Sequence, residues 1–302
     1  YGVTDRGPQA FDIGVRPGDN PNDPNSGEKV FDDPDYPITV YKLARTANGL
    51  NQVERITLKV PDGAGGFRNA TGIGALPAHD PAYTKVGVDA DGFNVYEEVA
   101  RDAFGIDAES ILVISIDGLN NGQPMFAISE EYFPGIYLFD QASGELVQRI
   151  VPEGSDFSAV SYEPGRGDSA AFTLQTLPSH YSDRRNNRGF EGMAFNPDDG
   201  LLYAFIQSPM RPDGYQNGSN EFIRILAVDP STGQAQAEYL HLLSDEAGMD
   251  KIGDAVYDAS TGRFLIIERD SNLGSASNKA IIEIDLSGAT NVLEFTTRDG
   301  GW

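Results

Sequence analysis

No cysteine occurs among the 302 residues, so disulfides, thiolate nucleophiles and thiolate zinc sites are all excluded. Histidine is nearly as scarce: His79, His180 and His241 are scattered, and no two have the spacing of paired metal ligands. Positive charge is in short supply, with 22 Lys and Arg against 46 Asp and Glu, for a formal net charge of -24. Such a surface disfavours nucleic acid and anionic membrane as partners and favours cations. No apolar run approaches the roughly 18–20 residues of a membrane-crossing helix. A Gly-x-Ser-x-Gly elbow is also missing, which argues against an α/β-hydrolase esterase. Gly72-Ile73-Gly74 lacks the third glycine and the following helix of a dinucleotide fingerprint. Asp89-Ala90-Asp91-Gly92 lacks the carboxylate spacing of an EF-hand and reads as a polar turn opening the one expected helix, Val95 to Ala103.

What is present is strand and turn. Glu191 to Phe195 and Leu201 to Ile206 flank Pro197-Asp198-Asp199-Gly200, a strong local hairpin signal. In an antiparallel pair the residues before the first strand and after the second share one end, so Arg188, Glu191, Gln207 and Ser208 are expected on one rim. The pattern returns from Asp250 to Asp270, with Asp254 near the place of Glu191 and Glu268-Arg269-Asp270 near that of Gln207-Ser208. A third copy runs from Asp107 through Glu109 and Ile111–Ile116 to Met125–Ser129, ending at Glu130-Glu131. A fragment of a fourth opens the chain as Tyr1 to Pro8. Fixed-order repetition of this kind is how sheets arranged radially around an axis look in sequence.

Between these copies, Ile38–Ala44 and Val53–Val60 alternate as a strand pair. Gln9–Pro37 and Pro61–Val88 read as loop, and Gly154–Ser182 as a less regular region that holds one sheet. Phe222–Asp229, Ala235–Leu243, Lys279–Leu286 and Val292–Thr297 read as further strands. No Ser/Gly or Pro linker separates the repeats, and 39% hydrophobic residues suffice for one well-cored domain, so residues 1–302 are expected to form a single domain. The chain opens on Tyr1 inside an apparent strand and is expected to be a processed or truncated piece of an exported protein.

The order Thr4-Asp5-Arg6-Gly7-Pro8, Ser129-Glu130-Glu131-Tyr132-Phe133-Pro134-Gly135, Asn187-Arg188-Gly189-Phe190-Glu191-Gly192-Met193 and Ile267-Glu268-Arg269-Asp270 resembles the phytase-like family labelled "esterase-like activity of phytase". The resemblance runs from residue 1 to about residue 290. It implies a β-propeller of four-stranded antiparallel blades, about five to seven of them, around a central channel. It also implies bacterial export to the periplasm or medium and kinship with calcium-dependent alkaline phytases. The family's further strand upstream and closing segment downstream are missing, which points to a larger molecule, a homo-oligomer or another assembly.

If the repeats superpose, Glu109, Glu191 and Asp254 ring the mouth of the channel, with Asp5, Glu130, Glu131, Glu268 and Asp270 around them. Crowded carboxylates repel unless they take up protons or a cation, and calcium suits an all-oxygen ring. Arg6, Arg188 and Arg269 would then bind phosphate oxygens of a small phosphoester or other ester. Glu191, Arg188 and His180, the last as general acid, are the candidate catalytic groups of a calcium-dependent hydrolase with water as nucleophile. The alternative is a noncatalytic extracellular propeller in which Glu191–Arg188 and Arg269–Asp270 are ties between sheets and calcium is structural.

Overall fold

The turns that punctuate the sequence set the architecture. At 196–200, 229–233 and 258–262 an Asn or Asp side chain accepts the backbone N–H two residues on, at 3.0, 2.8 and 2.9 Å. Each loop closes when a glycine N–H reaches the carbonyl of that same residue. Gly200, Gly233 and Gly262 take φ of 76, 71 and 72°, a left-handed backbone that side chains disfavour. The strands on either side are thereby reversed in register.

The computed structural model describes residues 1–8, 29–76, 82–92, 94–210, 221–244 and 248–298. Most of the expected Gln9–Pro37 loop, His79 and residues 211–220 lie outside them. The fold is all-β, and among the described residues the one α-helix spans only Leu293–Arg298. The chain divides into two compact units.

The first unit comprises Tyr1–Ala108, Ser143–Glu145 and Asp156–Ser169. Its strands are β1 (Gly2–Val3), β2 (Lys29–Val30), β3 (Thr39–Thr46), β4 (Gly49–Thr57), β5 (Lys59–Pro61), β6 (Phe67–Asn69), β7 (Ala82–Val88) and β8 (Asn94–Glu98), in sheets ordered β1-β3-β4, β2-β7-β8 and β5-β6. Two expectations fail here. The stretch expected as helix from Val95 begins as β8, antiparallel to β7 across the Asp89–Gly92 turn. Asn94-Val95-Tyr96 favours a pleated surface, and pairing with Tyr83–Val88 outweighs the weak helical pattern. The expected loop from Pro61 to Val88 likewise carries β6 and β7, because Lys59–Pro61 and Phe67–Asn69 close a short hairpin over a turn at Asp62.

The second unit, Glu109–Ala142, Leu146–Ser155 and Ala170 onward, holds three sheets in succession. The first contains β9 (Ala108–Ile114), β10 (Met125–Glu130), β11 (Gly135–Asp140) and β12 (Leu146–Pro152), with β13 (Thr173–Leu177) added parallel to β12. The second is the antiparallel meander β14 (Phe190–Asn196), β15 (Leu201–Ile206), β16 (Phe222–Val228) and β17 (Ala235–Leu242). The third is β18 (Lys251–Asp258), β19 (Arg263–Arg269) and β20 (Lys279–Ile284). Gly154–Ser182 yields one strand and short 3₁₀ turns instead of a sheet. Val292–Thr297, expected as a strand, carries helix α1 (Leu293–Arg298), started by Asn291 Oδ1 accepting the Leu293 N–H at 3.0 Å.

The first strands of these three sheets lie together, as blades of a β-propeller do. Ser110 Oγ on β9 donates to Asp254 Oδ1 on β18 at 3.0 Å, and Ser129 Oγ on β10 donates to the Glu191 carbonyl on β14 at 3.1 Å. Gly192 lets β14 and β18 approach, since a Cβ there would meet Ala255 N and Gly253 O at 2.9 Å. Further out the sheets pack through apolar side chains: the Phe264 ring of β19 lies 4.6 Å from that of Tyr203 and 6.0 Å from that of Phe205, both on β15. Met125, Leu138, Ile150, Leu202, Ile225 and Ile266 belong to the one core these sheets share. The β-propeller class expected from the repeats is the fold observed.

Candidate functional site

The rim of the second unit is shaped by two matching irregularities. In β14 Phe190 pairs with Ile206 and Gly192 with Phe205, so Glu191 is the extra residue of a β-bulge. In β18 the register shifts in the same way between Ile252 and Ala255, at Gly253-Asp254. A bulge re-aims the side chain it carries, and here it falls on the two acidic positions the repeats align.

One oxygen from each of Glu109, Glu131 and Glu191 lies within 4.8 Å of the others. Glu131 and Glu191 are buried, and Glu109 is half-buried. Gln207, at the end of β15, joins two of them: its Nε2 donates to Glu131 Oε1 at 2.6 Å and also to Glu191 Oε2. Asn187, at φ 53°, donates from Nδ2 to Glu131 Oε2 at 2.7 Å. The loop comes this close because position 189 is glycine: its N–H donates to the Glu131 carbonyl at 2.7 Å, and a Cβ would lie 2.3 Å from that oxygen. Arg188 Nη1 stands 3.7 Å from Glu131 Oε1, and Arg269 Nη2 is 2.8 Å from Glu191 Oε1. Both guanidinium side chains remain about one-third exposed, at 33% and 30%. Three carboxylates thus face two guanidinium groups, with a net negative charge among the five.

Beside them Gln207 Oε1 and Ser208 Oγ are buried with no hydrogen-bond partner. A buried acceptor without a donor is costly, of order 1–3 kcal/mol. A carboxamide oxygen next to three carboxylates is a donor set for a hard cation, so the residues fit calcium or magnesium chemistry.

The other expected site residues each have partners of their own. Asp254 is exposed and accepts from Ser110 and from its own neighbour, the Ala255 N–H at 2.8 Å. Glu130 accepts the Tyr132 and Phe133 N–H groups at 3.0 and 2.6 Å, which fastens the turn after β10. Glu268 receives His241 Nε2 at 2.7 Å and the Ser244 N–H at 3.1 Å. Burial acts to raise its pKa, but the Ser244 and His241 hydrogen bonds outweigh it and hold the carboxyl below its ordinary value. Asp270 is held by Lys279 Nζ at 2.7 Å, the Asn278 N–H and Asn272 Nδ2, and Lys279 leads these in depressing its pKa strongly. In the first unit Arg6 is buried, 2.8 Å from Asp107, and Asp5 is exposed beside it. His180 packs on β17, where Nε2 is 2.9 Å from Glu238 Oε1. Since β17 is separated from β14 by β15 and β16, that is three strand spacings, ~14 Å, from Glu191's strand. The structure therefore gathers Glu109, Glu131, Glu191, Arg188 and Arg269, and does not bring His180 to them.

Gln207 and Asn187 complete the site and carried no marked chemistry in sequence. The signal for Gln207 was its place at the strand end opposite Glu191. Set against known families, residues 30–300 match the family described as phytase-like, esterase-like activity of phytase. The chain belongs to that family. An uncharacterized secreted protein of Arthroderma benhamiae is 30% identical over 196 residues, 57% of this chain and 36% of that protein's length. The chain thus spans about a third of that relative. Among solved structures, a GH43 β-1,3-galactosidase with galactodeoxynojirimycin aligns at TM-score 0.31 and 12% identity over 60% of this phytase-like chain and 43% of its own. Hydrazine synthase of Kuenenia stuttgartiensis aligns at 0.31 and 12% over 84% and 58%, and the Dos1 propeller at 0.30 and 13% over 76% and 56%.

Proposed function

We propose that this phytase-like chain is an exported, calcium-dependent phosphoester hydrolase whose centre is Glu109, Glu131, Glu191, Arg188 and Arg269. The observation that carries the reading is the convergence of three carboxylates within 4.8 Å beside the unpartnered Gln207 Oε1. Those four side chains would hold the ion. When bound, a hard divalent ion polarises a phosphoryl oxygen and makes a water more acidic. Arg188 and Arg269 are exposed enough to offer N–H groups to the other phosphoryl oxygens. A Glu191 or Glu131 carboxylate accepts the proton of the attacking water, whose oxygen bonds to phosphorus as the ester P–O bond breaks. The leaving oxygen departs as the alcohol after protonation from solvent. Gln207 keeps the two carboxylates in place through its shared Nε2. Family membership and the secreted relative support a hydrolase and export.

The Arg269–Glu191 pair favours a second reading, because it joins β19 to β14 and would serve equally as a tie between sheets in a noncatalytic propeller. Calorimetry with calcium on chelator-stripped protein, followed by assay of phosphate released from inositol hexakisphosphate and simpler esters, separates the two. Saturable calcium binding, with turnover lost in Glu191→Gln while the fold is kept, is the expected result. Calcium binding without turnover across the ester panel leaves the noncatalytic propeller, and no binding overturns the carboxylate centre.

A further inference from the structure

Alternation along the strands gives the third sheet one buried face and one exposed face. Phe264 and Ile266 of β19 turn inward, the Phe264 ring against Tyr203 and Phe205 of the second sheet. The positions between them face the other way. There Val256 on β18 is 53% exposed, Ile267 on β19 39% and Ile281 on β20 74%, with Leu265 half-buried among them. Ile267 and Ile281 are direct cross-strand partners, as are Val256 and Leu265, so the four form one continuous apolar band across three strands. Single apolar residues on a surface are ordinary, whereas a contiguous exposed band is a docking surface.

Charge is sorted to the two ends of this band. On the rim side Arg269 pairs with Lys251 on one neighbouring strand and with Lys279 on the other, a row of three cations in a chain that has only 22 Lys and Arg. Like charges set directly opposite repel. Each meets a carboxylate of the chain, Lys251 with Asp250 at 3.3 Å, Arg269 with Glu191 at 2.8 Å and Lys279 with Asp270 at 2.7 Å, yet Lys279 stays 42% exposed. At the opposite end Glu283 and Asp285 are 45% and 44% exposed, with Arg263 in ion-pair reach of both.

We propose that this face docks a second copy of the chain. A surface that is apolar in the middle, positive at one end and negative at the other is complementary to its own two-fold image, as an isologous contact requires. With the axis lying across the strands at the Ile267–Ile281 row, Ile281 of one copy meets Ile281 of the other. Lys279 of each copy then lies over Glu283 of its mate. Two sheets pack face to face in this way with their strands aligned and their side chains interdigitated. The net charge of -24 on each copy opposes association at long range, but at ~0.15 M salt the Debye length is about 8 Å, and the facing charges lie closer than that. The contact needs no chemistry from the carboxylate centre.

The test is sedimentation equilibrium of the whole chain at rising concentration in that salt. A reversible monomer–dimer equilibrium is expected, weakened about tenfold or more in Ile281→Lys, which alters a side chain already in solvent and leaves the fold intact. Lys279→Glu and Glu283→Lys should each associate more weakly alone and recover when mixed in equal amounts, since the mixed pair restores opposite charges at both contacts. Urea denaturation verifies that each is folded. A chain monomeric at every concentration would overturn the proposal, as would a dimer indifferent to Ile281→Lys or a mixture that associates no better than its components.

Discussion

Arg269 Nη2 on β19 stands 2.8 Å from Glu191 Oε1 on β14, so the charged rims of two successive sheets are joined by one ion pair. Arg269 is still 30% exposed, and solvent screening keeps the stability of such a pair to about 1 kcal/mol. If the same guanidinium binds a phosphoryl group, its removal costs far more in turnover than in stability. Arg269→Gln is expected to lower kcat/KM by about 100-fold or more while moving the unfolding free energy by about 1 kcal/mol. Paired urea denaturation and phosphate-release assays read both quantities. A loss of stability with turnover unchanged would assign the pair to the sheet contact alone.

Gly192 is where β14 and β18 touch backbone to backbone. A methyl group there would lie 2.9 Å from Ala255 N and Gly253 O and 3.0 Å from Asp254 C, atoms that cannot rotate away. Gly192→Ala is therefore expected to destabilise the protein by about 1–3 kcal/mol, the range for overpacking a close contact. Gly154→Ala meets nothing within 4 Å, but its φ of 81° leaves only backbone strain. Chemical denaturation of the two variants compares a steric cost with a conformational one.

The difference between those glycines also marks what the sequence could reveal. Gly200 follows Asp199 and Gly262 closes the turn that Asp258 opens, both between apolar runs, and these hairpins were legible because the signal is local. The bulge at Glu191 was not legible, yet its consequence was, because Glu191 and Asp254 hold the same place in repeats that bulge alike. The environments of Glu130, Glu268 and Asp270 depend on which N–H or side chain arrives from elsewhere, such as Lys279 or His241, and residue type alone does not carry that. His180 shows the same limit: its residue type makes it a candidate general acid, but Glu238 on β17 holds it three strands away. The strand at Asn94–Glu98 and the helix at Leu293–Arg298 were both misread where short segments take their state from partners.

In the first unit Asp102 is fully buried and depends on one cation. Arg68 Nη1 donates to its Oδ2 at 2.7 Å, Thr71 Oγ1 to the same oxygen at 2.7 Å, and the Phe104 N–H to Oδ1 at 3.0 Å. Removing the guanidinium leaves a carboxylate in the interior with neutral donors only. Arg68→Met is expected to cost about 3–5 kcal/mol, as for other buried pairs broken on one side. The double variant Arg68→Met/Asp102→Asn should recover much of that, since no charge is then buried unpaired. A thermodynamic cycle from denaturant unfolding checks the coupling.

Stability should decline at both ends of the pH scale for reasons tied to particular groups. Lys279 and the Asn278 and Asn272 donors depress Asp270, while at Glu268 the Ser244 and His241 hydrogen bonds overcome the opposing effect of burial. Both carboxyls bind protons less readily in the folded chain than in the unfolded one. Their contribution is therefore complete above the unfolded pKa values of about 4 and is lost as pH falls through the folded ones. Tyr181 has the opposite sign: burial, with Glu238 beside it, raises its pKa, so its contribution is complete below about pH 10 and is lost as pH rises beyond it. Unfolding free energies measured across pH should show an acid limb that flattens in Lys279→Met, which removes the main cause of the Asp270 shift. The alkaline limb should flatten in Tyr181→Phe. An acid limb unchanged by Lys279→Met would mean that the Lys279–Asp270 contact contributes nothing to stability in solution.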